Sequence, residues 1–314
     1  VLLYCSFLVS CNGGENRRNN TTGNGDTQNA QPPIDSCEGI GDIADCGNPG
    51  GLANIIIGEQ DSKKMMIDFI NIYRRDKLHN VIEALDSVYW VDANTILGID
   101  NYLKTQTDPA TGKLMYDGIR IYMACELNPG PYPNPDYKYK AGLFIFPTKL
   151  RQSPPTGKST HEDERIKISL PLGKTSPYLE DDIIAKPQIE KFNFIYRRIS
   201  MAPAEKKENF SQAIWVDACV VSIIAKLLLL PNAHLDGVNI NLAAYSVLDP
   251  VKRPSQIYPD QSTVILVPTN LKGGKHENNW NIVDCLSQYI KSKFHGVAPP
   301  GGFNHGELCP QNCN

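Results

Sequence analysis

The stretch Phe69-Ile70-Asn71-Ile72-Tyr73-Arg74-Arg75 returns as Phe192-Asn193-Phe194-Ile195-Tyr196-Arg197-Arg198. Three further matches follow in the same order. Trp90-Val-Asp92-Ala93 returns as Trp215-Val-Asp217-Ala218, and Asp117-Gly118-Ile-Arg-Ile-Tyr-Met-Ala124 as Asp236-Gly237-Val-Asn-Ile-Asn-Leu-Ala243. Leu143-Phe-Ile-Phe-Pro147-Thr148 then matches Ile265-Leu-Val-Pro268-Thr269 at its end. The four offsets are 123, 125, 119 and 121. Matches that keep one order with small insertions mark an internal duplication, spanning about residues 65–149 and 189–270. Two copies make a pair of modules rather than a solenoid.

Each copy reads as the same series of elements. Met66, Phe69, Ile70 and Tyr73 are spaced for one face of a helix, and Ile189 to Tyr196 is compatible with the same helix. Trp90-Val91 and Trp215-Val216 are short and extended. Asp92 and Asp217 then precede helical patterns that run to about Leu103 and Leu230, where a carboxylate accepts the free first-turn N–H groups. After the Asp-Gly turns, Ile119, Ile121 and Met123, or Val238, Ile240 and Leu242, alternate as in a strand. A long Pro/Asn/Tyr-rich connection leads to a second strand, Gly142 to Phe146 or Thr263 to Val267, which Pro-Thr is expected to stop. The fold class is therefore α+β, with two tandem similar modules, each helix–short strand–helix–β-hairpin, and two such modules are able to share one continuous sheet. The boundaries are 61–150 for module 1, 151–188 for a connector and 189–272 for module 2. Residues 273–314 form a C-terminal helix and Cys-containing tail. Arg151 to Arg165, with Pro154-Pro155 and His161-Glu-Asp-Glu-Arg165, reads as a solvated connector, with a charged partner patch as the minority reading.

Outward of the body, Leu2 to Val9 is almost all apolar and ends in Leu8-Val9-Ser10-Cys11. A short apolar run ending in small residues is an export signal rather than a membrane span. Leu-Val-Ser-Cys resembles the lipobox of bacterial lipoproteins, which implies that residues 1–11 hold the signal and that Cys11 is the lipidated residue. Asn12 to Gln31 is rich in Asn, Gly and Thr and cannot nucleate a core, so residues 12–60 are a flexible tether and N-terminal segment. Two or three acyl chains anchor stably where one is marginal. The most apolar later run, Ala218 to Leu230, contains Lys226 and is too short to cross a bilayer.

The 314 residues carry 31 Lys+Arg against 34 Asp+Glu, a formal net charge of -3, which argues against a nucleic-acid partner. Mean hydropathy is -0.31, which excludes a multi-span membrane protein. The 24 glycines and 23 prolines commit much of the length to loops.

Gly118-Ile119-Arg120-Ile121-Tyr122, with a helix before it and a Pro-Thr strand end after it, resembles a recurring module of Bacteroidetes lipoproteins of uncharacterised function. The ending Gly306-Glu-Leu308-Cys309-Pro310-Gln311-Asn-Cys313 is similar to the Gly-x-Leu-Cys-Pro-Pro-x-Cys tail such proteins carry. Module 2 departs from the pattern with Val238, Asn239 and Asn241, and the tail departs with Gln311. The resemblance implies a cell-envelope lipoprotein and brings no activity with it.

Of the nine cysteines, Cys5 lies in the signal and Cys11 carries lipid, which leaves seven, an odd number, in an oxidising envelope. Cys309 with Cys313, and Cys37 with Cys46, are the candidate disulfides, whereas Cys125 and Cys219 read as core thiols. His305, Cys309 and Cys313, with His295 nearby, have zinc-type donors but lack a second paired motif, so no metal and no cofactor is expected. There is no Gly-x-Ser-x-Gly, no His-Glu-x-x-His and no phosphate-cradling loop. Asp92 and Asp217 fit helix caps, or a carboxylate pair brought together at the module interface. Arg74 and Arg75, with Arg197 and Arg198, suit a carboxylate or phosphate, and equally a helix dipole. Tyr132, Tyr137 and Tyr139 with Tyr116 form the most distinctive loop, suited to a protein or glycan partner or to packing within the hairpin.

The expectation is a membrane-anchored, non-enzymatic envelope lipoprotein, located in the outer membrane, that binds a protein or polymeric partner. A hydrolase at the module interface and a metal-binding or redox tail are the rivals. Cys11 is followed by Asn-Gly-Gly-Glu-Asn-Arg-Arg instead of an acidic cluster, which leaves both membrane faces open.

Overall fold

The computed structural model describes residues 56–75, 80–126, 139–150, 161–164, 166–169, 178–200, 210–211, 213–245, 260–293, 302–303 and 308–309, all within one compact unit. In chain order the elements are β1 (Ile56–Ile57), α1 (Glu59–Ile72), β2 (Val88–Asp92), α2 (Ala93–Thr105), β3 (Gly118–Cys125), β4 (Ala141–Leu150) and β5 (His161–Asp163). There follow β6 (Ile166–Ser169), β7 (Tyr178–Asp181) and α3 (Asp182–Phe192), which continues as a π-helical stretch over Asn193–Ser200. The remainder comprises β8 (Ala213–Asp217), α4 (Ala218–Leu228), β9 (Gly237–Ala244), β10 (Ser262–Lys272), β11 (Lys275–Asn278), α5 (Trp280–Lys293), β12 (Gly302–Phe303) and β13 (Leu308–Cys309). The protein is α+β, with antiparallel pairing between all these strands.

The strands form two sheets. One runs β1-β12-β10-β9-β2 with β11 on β10, and the other β13-β8-β3-β4-β6-β7 with β5 on β4. The central hairpins β3–β4 and β9–β10 are local, but each takes its next strand from far along the chain. β2 lies on β9, with Asp92 opposite Gly237, and β8 lies on β3, with Asp217 opposite Gly118. The helices cross over in the same sense, since α1 packs on β9 and α3 packs on β3. The first helix and short strand of each half therefore complete the hairpin of the other. This corrects the expected continuous sheet. The sides of β3 and β9 on which two hairpins would have to meet are already occupied by the exchanged strands.

The opening repeat explains why the exchange holds. Phe69 and Tyr73 from α1, and Phe192 and Tyr196 from α3 and its continuation, converge with Phe210 in one buried aromatic cluster. Phe210 lies with its ring centroid 5.0 Å from Tyr73, 6.2 Å from Phe69 and 5.7 Å from Phe192. Such large rings, fully buried in tilted and edge-on contact, contribute strongly to a core. A buried phenol also needs a partner, and each tyrosine finds it across the exchange. Tyr73 donates to the Asp260 carbonyl at 2.5 Å, and Tyr196 donates to the Tyr139 carbonyl. Between the sheets, α2 and α4 pack on one another, and the nearly all-apolar α4 buries Val220, Val221, Ile223, Ile224, Leu227 and Leu228.

Two further readings are corrected. Pro147 and Pro268 do not stop their strands, which run on to Leu150 and Lys272. The Pro147 carbonyl accepts from Glu164 N–H and the Pro268 carbonyl from Asn279 N–H, both at 2.8 Å. A residue's N–H and C=O point to the same side of a strand, so the missing proline donor falls on that side and not on the central hairpin. The connector is also more than solvated chain, because β5 and β6 pair with β4, and β7 pairs with β6. Alternation in Ile166-Lys-Ile168 suits a strand that a purely compositional reading passes over.

Glycine is required at the head of β3 and β9 for space. A Cβ on Gly118 would lie 2.4 Å from the Val216 carbonyl oxygen and 2.7 Å from Trp215 Nε1; on Gly237 the corresponding distances are 2.3 Å from Val91 and 2.6 Å from Trp90. Gly118→Ala and Gly237→Ala should each lower stability by about 1–3 kcal/mol through overpacking, as read by urea unfolding. Gly142→Ala, with nothing within 4 Å of its Cβ, should stay within about 0.5 kcal/mol. Equal behaviour of all three variants would refute this account.

Candidate functional site

The close approach at these glycines assembles a four-residue cluster on each sheet. In the first, Asp117 Oδ1 accepts the Thr148 hydroxyl at 2.7 Å and Oδ2 lies 2.9 Å from His161 Nδ1. The exchanged strand supplies Trp215, whose indole N–H donates to Thr148 Oγ1 at 2.9 Å. The His161 ring stacks on that indole, with centroids 3.8 Å apart at 16°. In the second, Asp236 Oδ1 accepts from Thr269 at 2.7 Å and Oδ2 lies 2.5 Å from His276 Nδ1. Trp90 donates to Thr269 Oγ1 at 3.1 Å, and the His276 ring stacks on it at 3.6 Å and 17°.

A carboxylate only accepts, so the proton between each pair sits on histidine Nδ1. Each threonine hydroxyl gives its one hydrogen to the aspartate and receives the tryptophan N–H. Both threonines are fully buried. The arrangement holds a histidine in one tautomer and orientation, and it holds the exchanged tryptophan. It leaves no hydroxyl free to act as a nucleophile.

A second layer supports each histidine and differs between the two clusters. Buried Arg120 donates to the His161 carbonyl at 2.8 Å and to Asp163 Oδ1 at 2.6 Å, and Tyr122 donates to Asp163 Oδ2 at 2.5 Å. Burial first, then the Asp163 charge, raises the Tyr122 phenol well above its ordinary range and keeps it a donor. In the second cluster Asn239 donates to the His276 carbonyl at 3.2 Å and to Asn278 Oδ1 at 2.8 Å. The second cluster is also more open: the His276 side chain is 34% exposed against 11% for His161, and Trp90 is 40% exposed.

The candidate residues named from sequence fall elsewhere. Asp92 accepts the Thr95 N–H at 3.0 Å and Asp217 the Cys219 N–H at 2.7 Å, so each caps its own helix. Tyr116 is buried, stacks on Tyr102 and has its phenol raised by burial and by the Tyr102 hydroxyl. Tyr139 is half-buried beneath Lys191 Nζ, 3.5 Å from its ring centroid. Arg74 Nε donates to the Leu85 carbonyl at 2.7 Å, and Arg75 forms a backbone bridge with Val81. Tyr132, Tyr137, Cys11, Cys37, Cys46, Cys313, His295 and His305 lie outside the described residues, as do the side chains of Arg197, Arg198 and Cys309. Cys125 is a buried free thiol. Cys219 is corrected from core thiol to disulfide cysteine, and Cys285 is disulfide-bonded as well. Cys219 sits half-buried in the first turn of α4. Among the described residues no group of three or more His, Cys, Asp or Glu is placed to hold a metal ion.

Sequence reasoning saw Trp, Asp-Gly and Pro-Thr repeat but missed the histidines. His161-Glu-Asp163 and His276-Glu-Asn278 are a fifth repeat, hidden because they follow Thr148 and Thr269 by 13 and 7 residues. No protein-family profile, no curated protein and no solved structure matches this chain.

Replacing the shared hydroxyl tests the clusters as latches. Thr148→Val and Thr269→Val keep shape but leave a carboxylate oxygen and an indole N–H unpaired, so each should cost about 1–3 kcal/mol in urea unfolding. A cost near zero in both would mean that the clusters do not hold the strands. Burial also pushes the Cys125 thiol up to about 12. The unfolded chain ionises near the ordinary thiol value, about 8.5, and the folded one only near 12, so this contribution is intact below the ordinary value and is lost as pH rises toward 12. Iodoacetamide at pH 9 should therefore alkylate Cys125 far more slowly in the folded protein than in urea; equal rates would contradict the burial.

Proposed function

We propose that the chain is a lipid-anchored cell-envelope protein of two tandem similar modules that binds a protein or polymeric partner and performs no chemistry of its own. The observation that carries the non-enzymatic reading is the use made of the two Asp–His pairs among the described residues. Both Asp–His pairs are committed, with a buried threonine and an exchanged tryptophan, to closing the fold. The lipid anchor rests on Leu8-Val-Ser-Cys11 and on the resemblance to Bacteroidetes lipoproteins. Disulfides at Cys219 and Cys285 suit an oxidising compartment. Among the described residues no helix is long and apolar enough to cross a membrane. The corresponding Asp–Thr–His–Trp clusters, and the corresponding Tyr73 and Tyr196 bonds, are what two copies of one ancestral module would leave behind.

A hydrolase reading has one observation on its side, the third-exposed His276 hydrogen-bonded to Asp236. The two readings separate on a turnover screen against envelope polymers. The expected result is no hydrolysis by the folded protein. Hydrolysis that disappears in a folded Asp236→Asn protein would replace binding with catalysis. Palmitate labelling of cells should mark the wild type and not Cys11→Ala; equal labelling would refute the anchor.

A further inference from the structure

One phenol of the core stands without a partner. Tyr89, opposite Ile240 on β9, packs its ring against the core, and its buried hydroxyl has no hydrogen-bond partner among the described residues. Buried hydroxyls are normally paired, so an orphan of this kind calls for a reason. Asp86, Tyr196, Arg74 and Cys125 all lie within electrostatic reach of it.

These neighbours are engaged elsewhere, with one exception. Tyr196 donates to the Tyr139 carbonyl, Cys125 Sγ lies 3.9 Å from the Gln188 carbonyl, and Asp86 lies 3.9 Å from Lys140 Nζ. Arg74 engages only Nε, on the Leu85 carbonyl at 2.7 Å, and its two terminal nitrogens make no hydrogen bond or ion pair among the described residues. A guanidinium fork and a phenol are thus neighbouring donors for which the protein supplies no acceptor. The fold does not require them. At the corresponding place on β8, Ile214 stands for Tyr89, and at the end of β9 Ala244 stands for Cys125, both buried hydrocarbon.

We propose that Arg74 and Tyr89 form a binding site for a small monocarboxylate. The terminal nitrogens of Arg74 hold the carboxylate bidentately, and the Tyr89 hydroxyl donates to one of its oxygens. Burial raises the Tyr89 phenol well above its ordinary range, so it stays protonated and able to donate. Asp86 sets the charge of the ligand, because a nearby carboxylate opposes a dianion such as phosphate more than a monoanion that Arg74 balances. The Tyr89 hydroxyl is closed off from solvent, and partly exposed Arg74, tied by one hydrogen bond, is the wall that gives way on entry. This site goes beyond the partner-binding reading above and does not depend on it.

The test melts the full-length protein in sodium acetate, sodium benzoate and inorganic phosphate at fixed ionic strength, with acetamide as the neutral control. Acetate or benzoate should raise the melting temperature saturably, and by more than phosphate or acetamide does. Tyr89→Phe removes only the orphaned oxygen. Without ligand it should melt no lower than wild type, yet it should bind the carboxylate about tenfold more weakly. Arg74→Lys keeps the charge and loses the fork, and it should weaken binding by a similar factor. A Tyr89→Phe protein that melts below wild type would mean that the hydroxyl is already satisfied, by the protein or by a water, and would overturn the site. So would carboxylate stabilisation that is absent from wild type, undiminished in the variants, or smaller than that given by phosphate.

Discussion

The structure depends on two indole rings lying against two glycines. Trp215 and Trp90 each arrive on a strand from the other half of the chain, so the hairpins β3–β4 and β9–β10 cannot be completed by their own neighbours in sequence. A tryptophan passes this close to a strand only where no Cβ intervenes, and its N–H must still be satisfied once buried. Thr148 and Thr269 satisfy it, and Asp117 and Asp236 orient the threonines. The histidines then close the outer face of each indole by stacking. Removing any one member exposes an unpaired polar group in the others, so the clusters behave as units.

This coupling has a consequence for how the chain can fold. Neither hairpin acquires the strand beside β3 or β9 until residues far away in the chain have been brought to it. Tyr73 bonds the Asp260 carbonyl across 187 residues, and Trp90 bonds Thr269 across 179. Long-range pairing of this kind slows folding because loop closure must precede the contacts that reward it. The aromatic cluster around Phe210 draws on both halves of the chain. Phe69 with Tyr73, and Phe192 with Tyr196, are pre-arranged on single helical turns at i, i+4.

Much of the fold was legible because each repeat carries its own local signal. The aspartate caps, the alternating strands after Asp-Gly and the helical spacing of Phe69 and Tyr73 are short-range patterns, and short-range physics produced the elements they announce. The pairing of those elements was not legible. Nothing local tells Trp90-Val-Asp92 that it lies beside Val238 rather than Ile119, since both strands offer a glycine at the head and alternating aliphatics behind it. Only contacts between distant residues decide that. The clusters were half visible for the same reason. Trp, Asp-Gly and Pro-Thr were noted as repeats, yet an indole N–H, a hydroxyl and a carboxylate become one site only through the exchange. Tyr116 stood out as a surface candidate by composition, and burial against Tyr102 gave it a packing role.

The differences between the two clusters are more informative than their agreement. Arg120 and Asn239 hold the same histidine carbonyl and the side chain two residues beyond that histidine, so the geometry is kept while its charge is not. A buried guanidinium demands a carboxylate, and Asp163 supplies it, with Tyr122 on its other oxygen. The amide of Asn239 demands only an acceptor, and Asn278 suffices. Since the neutral version holds its strand with the same indole stacking, the Arg120–Asp163–Tyr122 network is not required for the latch. A buried ion pair seldom adds net stability over a neutral substitute, because desolvation offsets most of the attraction. What it adds is exclusion of alternatives: β5 bears the carboxylate that β3 needs, whereas β11, with Asn278 at that place, would leave Arg120 without its charge partner. The charged pair thus opposes exchange of the two hairpins' outer strands, in a chain whose two sheets are otherwise similar enough to accept each other's parts.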